Sequence, residues 1–348
     1  MSDQHNPPAI RATLEPERPA PPQAGRARPK PLRALAGRQE LLVLGLLLLA
    51  GIVLSLRSEN FLQPTNLLNL ARGVSWFAIS ALGVSMVILI GGIDLSVGAV
   101  MALAGLVCAL ALQAGTPLPL AIGAGLLSGT GVGMANGLLV GQLNLPPFIV
   151  TLGTMGLARG LALGLTGGAP VRELPASFRM LGQGDLRLAG VTLPLPLLAM
   201  VTMALLVSLL LHQTVLGRYI YTLGRDEQAL RVAGVATTRI KITVYTFSGL
   251  LAACGGIIMT AWLGVAAPTA AEGYELDIIA AAVIGGTSLF GGEGSVLGVV
   301  LGTLLMLTVR NGMVMLGLPA YWQLSTIGAM ILAVVLIDYL RRRRLTHG

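Results

Sequence analysis

This 348-residue chain has only two lysines, Lys30 and Lys241. A phosphate-wrapping P-loop needs Gly-Lys followed by Ser or Thr, and here Pro29 and Ile240 precede the two lysines. The chain therefore has no nucleotide-hydrolysing loop of its own. Charge of either sign is scarce: 11% of residues are charged, against roughly 25% in soluble proteins. The two cysteines, Cys108 and Cys254, both lie inside apolar runs; they give no disulfide framework and read as small packing residues. The three histidines, His5, His212 and His347, are scattered, so no HExxH helix or clustered metal ligand set is present. There is no G-x-S-x-G elbow and no carboxylate pair in a soluble segment. The chain reads as a non-enzyme without metal or cofactor.

Hydrophobic residues make up 54% of the chain, with 46 glycines and a mean hydropathy of +0.80. A membrane-crossing helix needs about 20 mostly apolar residues. The sequence is that of an all-α polytopic membrane bundle of about ten such helices. They fall roughly at 40–56, 70–90, 95–113, 119–140, 147–166, 194–213, 241–263, 275–290, 296–312 and 321–338. The divisions near 91–94 and 291–295 are open, each being a turn between two spans or a break in one helix. A formal charge of +8 does not point to nucleic acid. The basic residues gather at the chain ends and in one loop, a topology signal and a contact for anionic lipid. Residues 1–39 lack apolar periodicity and are expected to be a disordered basic cytoplasmic tail. Residues 341–348, opening on four arginines, form a second basic tail. With both termini inside, the number of spans is even.

Between the sixth and seventh spans lies the most charged loop, 214–241. Arg218, Arg225, Arg231, Arg239 and Lys241 outnumber Asp226 and Glu227, and short loops rich in Lys and Arg stay cytoplasmic. Asp226 is placed to cap a short helix over 227–233 that ends at Gly234. A structured knob on an otherwise membrane-buried chain points to a soluble partner. The longest segment on the other side, 167–193, carries Arg172, Glu173, Arg179, Asp185 and Arg187. It is either a rim for a second soluble partner or an ordinary solvated loop.

Polar residues near the spans are few. Asp94 is a functional candidate because ionisable groups near spans are expensive, but it can equally cap the helix that starts at Leu95. Ser96, Asn136, Thr287, Ser288, Asn311 and Gln323 suit a path for a hydroxylated neutral solute, and equally suit hydrogen bonds between helices. Trp322, beside Tyr321, either stacks on solute or joins Trp76 and Trp262 in an outer interfacial belt. Gly125, Gly129, Gly133, Gly137 and Gly141 repeat every four residues, as do Gly294, Gly298 and Gly302. Such stripes allow close helix packing, within a subunit or between copies; the alternative is a solute path along bare backbone. Ile90-Gly91-Gly92 echoes Ile284-Gly285-Gly286, a hint of an internal repeat.

Several longer segments carry a resemblance. They are Ile93-Asp94-Leu95-Ser96-Val97-Gly98, Pro147-Phe148-Ile149-Val150-Thr151-Leu152-Gly153-Thr154 and Leu216-Gly217-Arg218-Tyr219-Ile220-Tyr221. They continue with Gly273-Tyr274-Glu275-Leu276-Asp277-Ile278-Ile279-Ala280, Gly285-Gly286-Thr287-Ser288-Leu289-Phe290-Gly291-Gly292 and Tyr321-Trp322-Gln323. Over roughly residues 40–340 the chain resembles the permease subunits of bacterial ATP-binding cassette importers of the ribose/xylose/galactoside type. The resemblance implies a homodimer in the bacterial inner membrane. It also implies a separate cytoplasmic ATPase that uses ATP and Mg²⁺, and a periplasmic sugar-binding protein. Gly224, Arg225, Asp226, Glu227, Ala229, Arg231 and Gly234 then match the coupling element that the ATPase grips. The family often has Gly-Asn where this chain has Arg225-Asp226, and the loop lacks the Glu-Ala-Ala spacing of maltose-type permeases. Two other readings stay open: a permease of the same superfamily for nucleosides, polyols or branched-chain amino acids, and an ion-coupled secondary transporter working alone.

Overall fold

The computed structural model describes residues 32–319 apart from 189, with residue 2 and single positions between 321 and 336. In chain order the helices are α1 (Leu32–Arg57), α2 (Pro64–Leu89), α3 (Val97–Gln113), α4 (Leu118–Gly141), α5 (Pro147–Thr166) and α6 (Ala176–Gln183). A hairpin of β1 (Asp185–Leu188) and β2 (Val191–Pro194) follows. Then come α7 (Leu195–Gln213), α8 (Val215–Arg225), α9 (Glu227–Val232), α10 (Thr237–Leu263), α11 (Tyr274–Ile284) and α12 (Val296–Met315).

Local chemistry sets many of these ends. Proline opens α2, α4, α5 and α7 in the first turn, where its missing N–H costs nothing. Thr214, Asp226 and Ser295 cap α8, α9 and α12 with side-chain oxygens. Left-handed Gly167 and Gly264 end α5 and α10, as glycine without a Cβ readily does.

Seven helices among the described residues are long and apolar enough to cross a membrane: α1, α2, α4, α5, α7, α10 and α12. The shorter α3 has 17 residues, the lower limit for a span. The span expected over 275–290 is corrected: α11 has 11 residues, about 17 Å of helix and about half of a bilayer core. Residues 32–39, expected in a disordered tail, belong to α1. Residues 3–31, much of the expected last span and the tail at 341–348 lie outside the described residues. The 167–193 segment is not a plain loop. It holds α6 and the antiparallel hairpin, paired from Asp185↔Pro194 to Leu188↔Val191. Arg72 ties the hairpin to α2 through Asp185 at 2.7 Å.

The centre of the bundle is α10, which packs against α2, α3, α4 and α6. From Val74 to Leu89 every residue of α2 is buried, the pattern of a helix enclosed on all sides. In contrast α1 lies at the edge and packs on α12, with Leu54 over Gly312. Leu127, Leu157 and Leu205 are exposed on α4, α5 and α7; in a membrane such faces meet lipid.

Both glycine stripes face inward. A Cβ at Gly129 would stand 2.6 Å from the Cβ of Ala253, and one at Gly137 would stand 2.6 Å from the Cα of Ile242. Gly125 is as tightly placed, against the Ala104 carbonyl, and Gly133 meets Gly249. The α4 stripe is therefore the contact with α10, and partly with α3. Gly298 and Gly302 do the same for α12 against Gly285 and Ala281 of α11. Close packing within the subunit is what these stripes do, and they leave no open backbone path.

Candidate functional site: the α8–α9 knob and the two helix breaks

The short helix of the charged loop forms as its cap predicted. The Asp226 carboxylate accepts the Ala229 N–H at 2.9 Å. α9 ends at Val232, and Gly234 follows with φ +77°. Before α9 comes α8, not expected from the charge of the loop; its Ile220 and Leu223, three residues apart on one face, lie in the core.

What α8 touches matters most. The chain breaks after α2 and again after α11, and both breaks close with the same pair of bonds. Gly91 N–H donates to Ile88 O and Gly92 N–H to Val87 O; Gly286 N–H donates to Val283 O and Thr287 N–H to Ala282 O. Gly91 (φ +78°) and Gly286 (φ +101°) take the left-handed position, so both breaks are Schellman motifs. The sequence echo set Gly91 against Gly285, but the position equivalent to Gly91 is Gly286. The breaks meet: Gly292 N–H donates to Leu89 O at 2.8 Å. The end of α8 seals that junction. Gly224 lies flat against the Leu89 carbonyl and the Gly292 amide. Arg225 Nε donates to Gly292 O at 3.1 Å, and Tyr221 OH donates to Gly294 O at 3.0 Å. Arg225 thus has a partner inside its own subunit.

α9 is strapped down by charge. Glu227 Oε1 lies 2.7 Å from Arg231 Nη2 and 2.9 Å from Lys241 Nζ at the start of α10. Partial burial pushes the Glu227 carboxyl up, but hydrogen bonds and charge from Lys241 and Arg231 outweigh it and hold it below the usual carboxylate range. A depressed carboxylate stabilises the fold fully above its unfolded pKa of about 4.3 and loses that contribution as pH falls through the folded value. Protection of the 227–241 amides relative to their intrinsic exchange rates is expected to hold down to about pH 4.3 and to fall below it. Glu227→Lys should loosen α9, and Glu227→Lys with Lys241→Glu should restore slow exchange. Equal exchange in the single variant and the parent would remove the strap.

The other candidates separate into groups. Asp94, Ser96 and Asn136 come together in one buried chain. Asp94 Oδ1 accepts the Ser96 N–H at 3.0 Å and the Ser96 hydroxyl at 2.6 Å; Oδ2 accepts the Ser248 hydroxyl at 2.9 Å. Asn136 then donates to Ser96 Oγ, and Thr154 donates to Asn136 Oδ1 at 2.7 Å. Thr151 adds a bond to Ile93 O. Asp94 does hold the entry to α3, but the helix begins at Val97, with Ser96 at the cap position, and not at Leu95. The chain links the first break to α4, α5 and α10. Thr287 is buried at the second break with its hydroxyl unpartnered among the described residues, and Ser288 closes that loop through the Phe290 N–H and the Glu293 carbonyl. Asn311 pairs with Asn66 in two amide bonds, at 2.9 and 3.2 Å. Trp322 is 56% exposed and lies against Tyr321, and Gln323 is half-buried; neither touches the Asp94 chain.

Trp76 is corrected. It lies in the middle of α2, 4% exposed, and not at a span end. Sequence reasoning also missed the ion pair Asp277–Arg310, 3.2 Å apart between α11 and α12. Two opposite charges inside apolar runs were the readable signal.

The described residues thus form a bundle of apolar helices with two breaks clasped by one surface knob. The chain belongs to the family described as branched-chain amino acid transport system / permease component, which matches residues 66–335. It is 43% identical over 297 residues to the ribose import permease protein RbsC of Bacillus subtilis (strain 168), covering 85% of this chain and 91% of that protein. It is 42% identical over 300 residues to RbsC of Escherichia coli (strain K12), covering 85% and 92%. It is 36% identical over 296 residues to the D-allose transport system permease protein AlsC of the same strain, covering 85% and 90%. No solved structure matches the chain.

Proposed function

We propose that this chain is the membrane-spanning permease subunit of an ATP-driven, binding-protein-dependent importer of a monosaccharide of the ribose type. The observation that carries this is the 43% identity, over 85% of the chain, with a ribose import permease. The α8–α9 end, both termini and the basic loop face the cytoplasm, as the distribution of arginines favours. The protein works in the bacterial inner membrane as a homodimer. A separate ATPase binds ATP and Mg²⁺, and a periplasmic sugar-binding protein delivers the solute; this chain holds no cofactor. Closure of the ATPase moves α9, α8 moves with it, and the joined breaks change the packing of α2–α3 and α11–α12 together. That supplies the two discrete states that alternating access needs.

The test is reconstitution of the chain in liposomes with its partner ATPase and binding protein. ATP-dependent accumulation of D-ribose is the expected result. Accumulation on a proton gradient without the ATPase, or uptake of leucine and not of sugar, would overturn the reading.

A further inference from the structure

Away from the knob, between the far halves of α2, α10 and α12 and the start of α11, lies a cleft of ≈ 260 Å³. Three aromatic rings wall it. Trp76 and Tyr274 stack nearly parallel, 5.8 Å apart and 14° from coplanar, and Trp262 stands 6.4 Å from Trp76. Arg310, Asn311 and Asn69 supply the polar rim. Arg310 lies 4.9 Å over the Tyr274 ring and gives one hydrogen bond to Asp277, so most of its five donors remain available. The indole N–H of Trp76 is buried without a partner among the described residues, and a buried donor left unpaired calls for an acceptor.

We propose that this cleft is a transit subsite for a single neutral sugar ring. The proposal rests on the importer reading and names a place for its solute. Trp262, half-buried at the cleft, offers its ring to the C–H face of a pyranose or furanose, with Trp76 and Tyr274 stacked behind it, and the guanidinium and amides take the hydroxyls. The volume lies just below the usual range for small-molecule pockets, about 300–1,000 Å³, which suits one ring and not a nucleoside or oligosaccharide. Asp277 offsets the charge of Arg310, so the cleft favours a neutral solute over an anion.

The full importer with binding protein and ATPase tests this. Trp262→Leu and Tyr274→Leu should each lower the maximal rate of D-ribose uptake about tenfold, which is about 1.4 kcal/mol in the barrier. KM should not move, because the binding protein sets it. Tyr274→Phe, which keeps the ring, should restore the rate. With Trp322→Phe as background, D-ribose added to the purified permease should change the emission of Trp76 and Trp262 saturably, and leucine should not. Native uptake rates in both leucine variants, or an emission that ribose leaves unchanged, overturn the subsite while importer activity stands. Absence of ribose uptake by the unsubstituted chain overturns the importer reading instead.

Discussion

Gly224→Ala is expected to slow sugar uptake about 5–150-fold while ATP hydrolysis continues. The added methyl has nowhere to go: it meets the Leu89 carbonyl oxygen and the Gly292 amide nitrogen, the two atoms that join the helix breaks. Neither is the loose end of a side chain, so backbone must move. Overpacking of this kind costs about 1–3 kcal/mol. If that energy is lost from the coupling between knob and breaks, the transport rate falls about 5–150-fold. The chain should still insert and bind its ATPase, because the α9 surface is unchanged. The measurement is uptake and ATP hydrolysis side by side in liposomes. Native uptake by the alanine variant would remove the junction from the coupling route.

Asp94→Ala has the second large effect, on assembly and not on coupling. The carboxyl is 2% exposed and accepts the Ser96 N–H, the Ser96 hydroxyl and the Ser248 hydroxyl. Alanine strands all three donors, at about 1–3 kcal/mol for each group left unpaired, less than additively because they share one network. Folded yield should fall steeply, and the melting temperature in detergent should fall by roughly 5–10 °C. Asn keeps Oδ1 for the two Ser96 donors, and the Ser248 hydroxyl can turn to accept from its amide. It should cost no more than about 1 kcal/mol. Asn as damaging as Ala to folded yield would contradict this account. Normal assembly of the Asn variant with abolished uptake would make Asp94 a working carboxylate.

Much of this molecule was legible because it depends on neighbours in the chain. Apolar run length announced the membrane, and the pair Asp226 and Gly234 announced α9, since a cap needs only residues within one turn. The near-absence of lysine excluded a P-loop outright. Legibility ended where two distant segments had to meet. The run over 275–290 is mostly apolar from Ile278 on, yet its helix stops at Ile284 because the break there docks onto the other break and onto α8. Trp76 read as a belt residue because a lone Trp in an apolar run carries no sign of which neighbour it faces.

The sequence by itself determined the class, the Asp226 cap of α9, the charged knob and the glycine stripes, all products of composition and short-range spacing. Only the tertiary structure decided that the stripes serve α4 against α10 and α12 against α11. It alone placed Asp94, Ser96, Asn136 and Thr154 in one chain of bonds, and closed three aromatic rings and Arg310 around a cleft. The reason is physical: inside a membrane, helices associate through shape and polar contacts rather than through exclusion of water. The partners of a glycine or a buried hydroxyl are therefore set by which surfaces fit, and that fit exists only once the helices are packed.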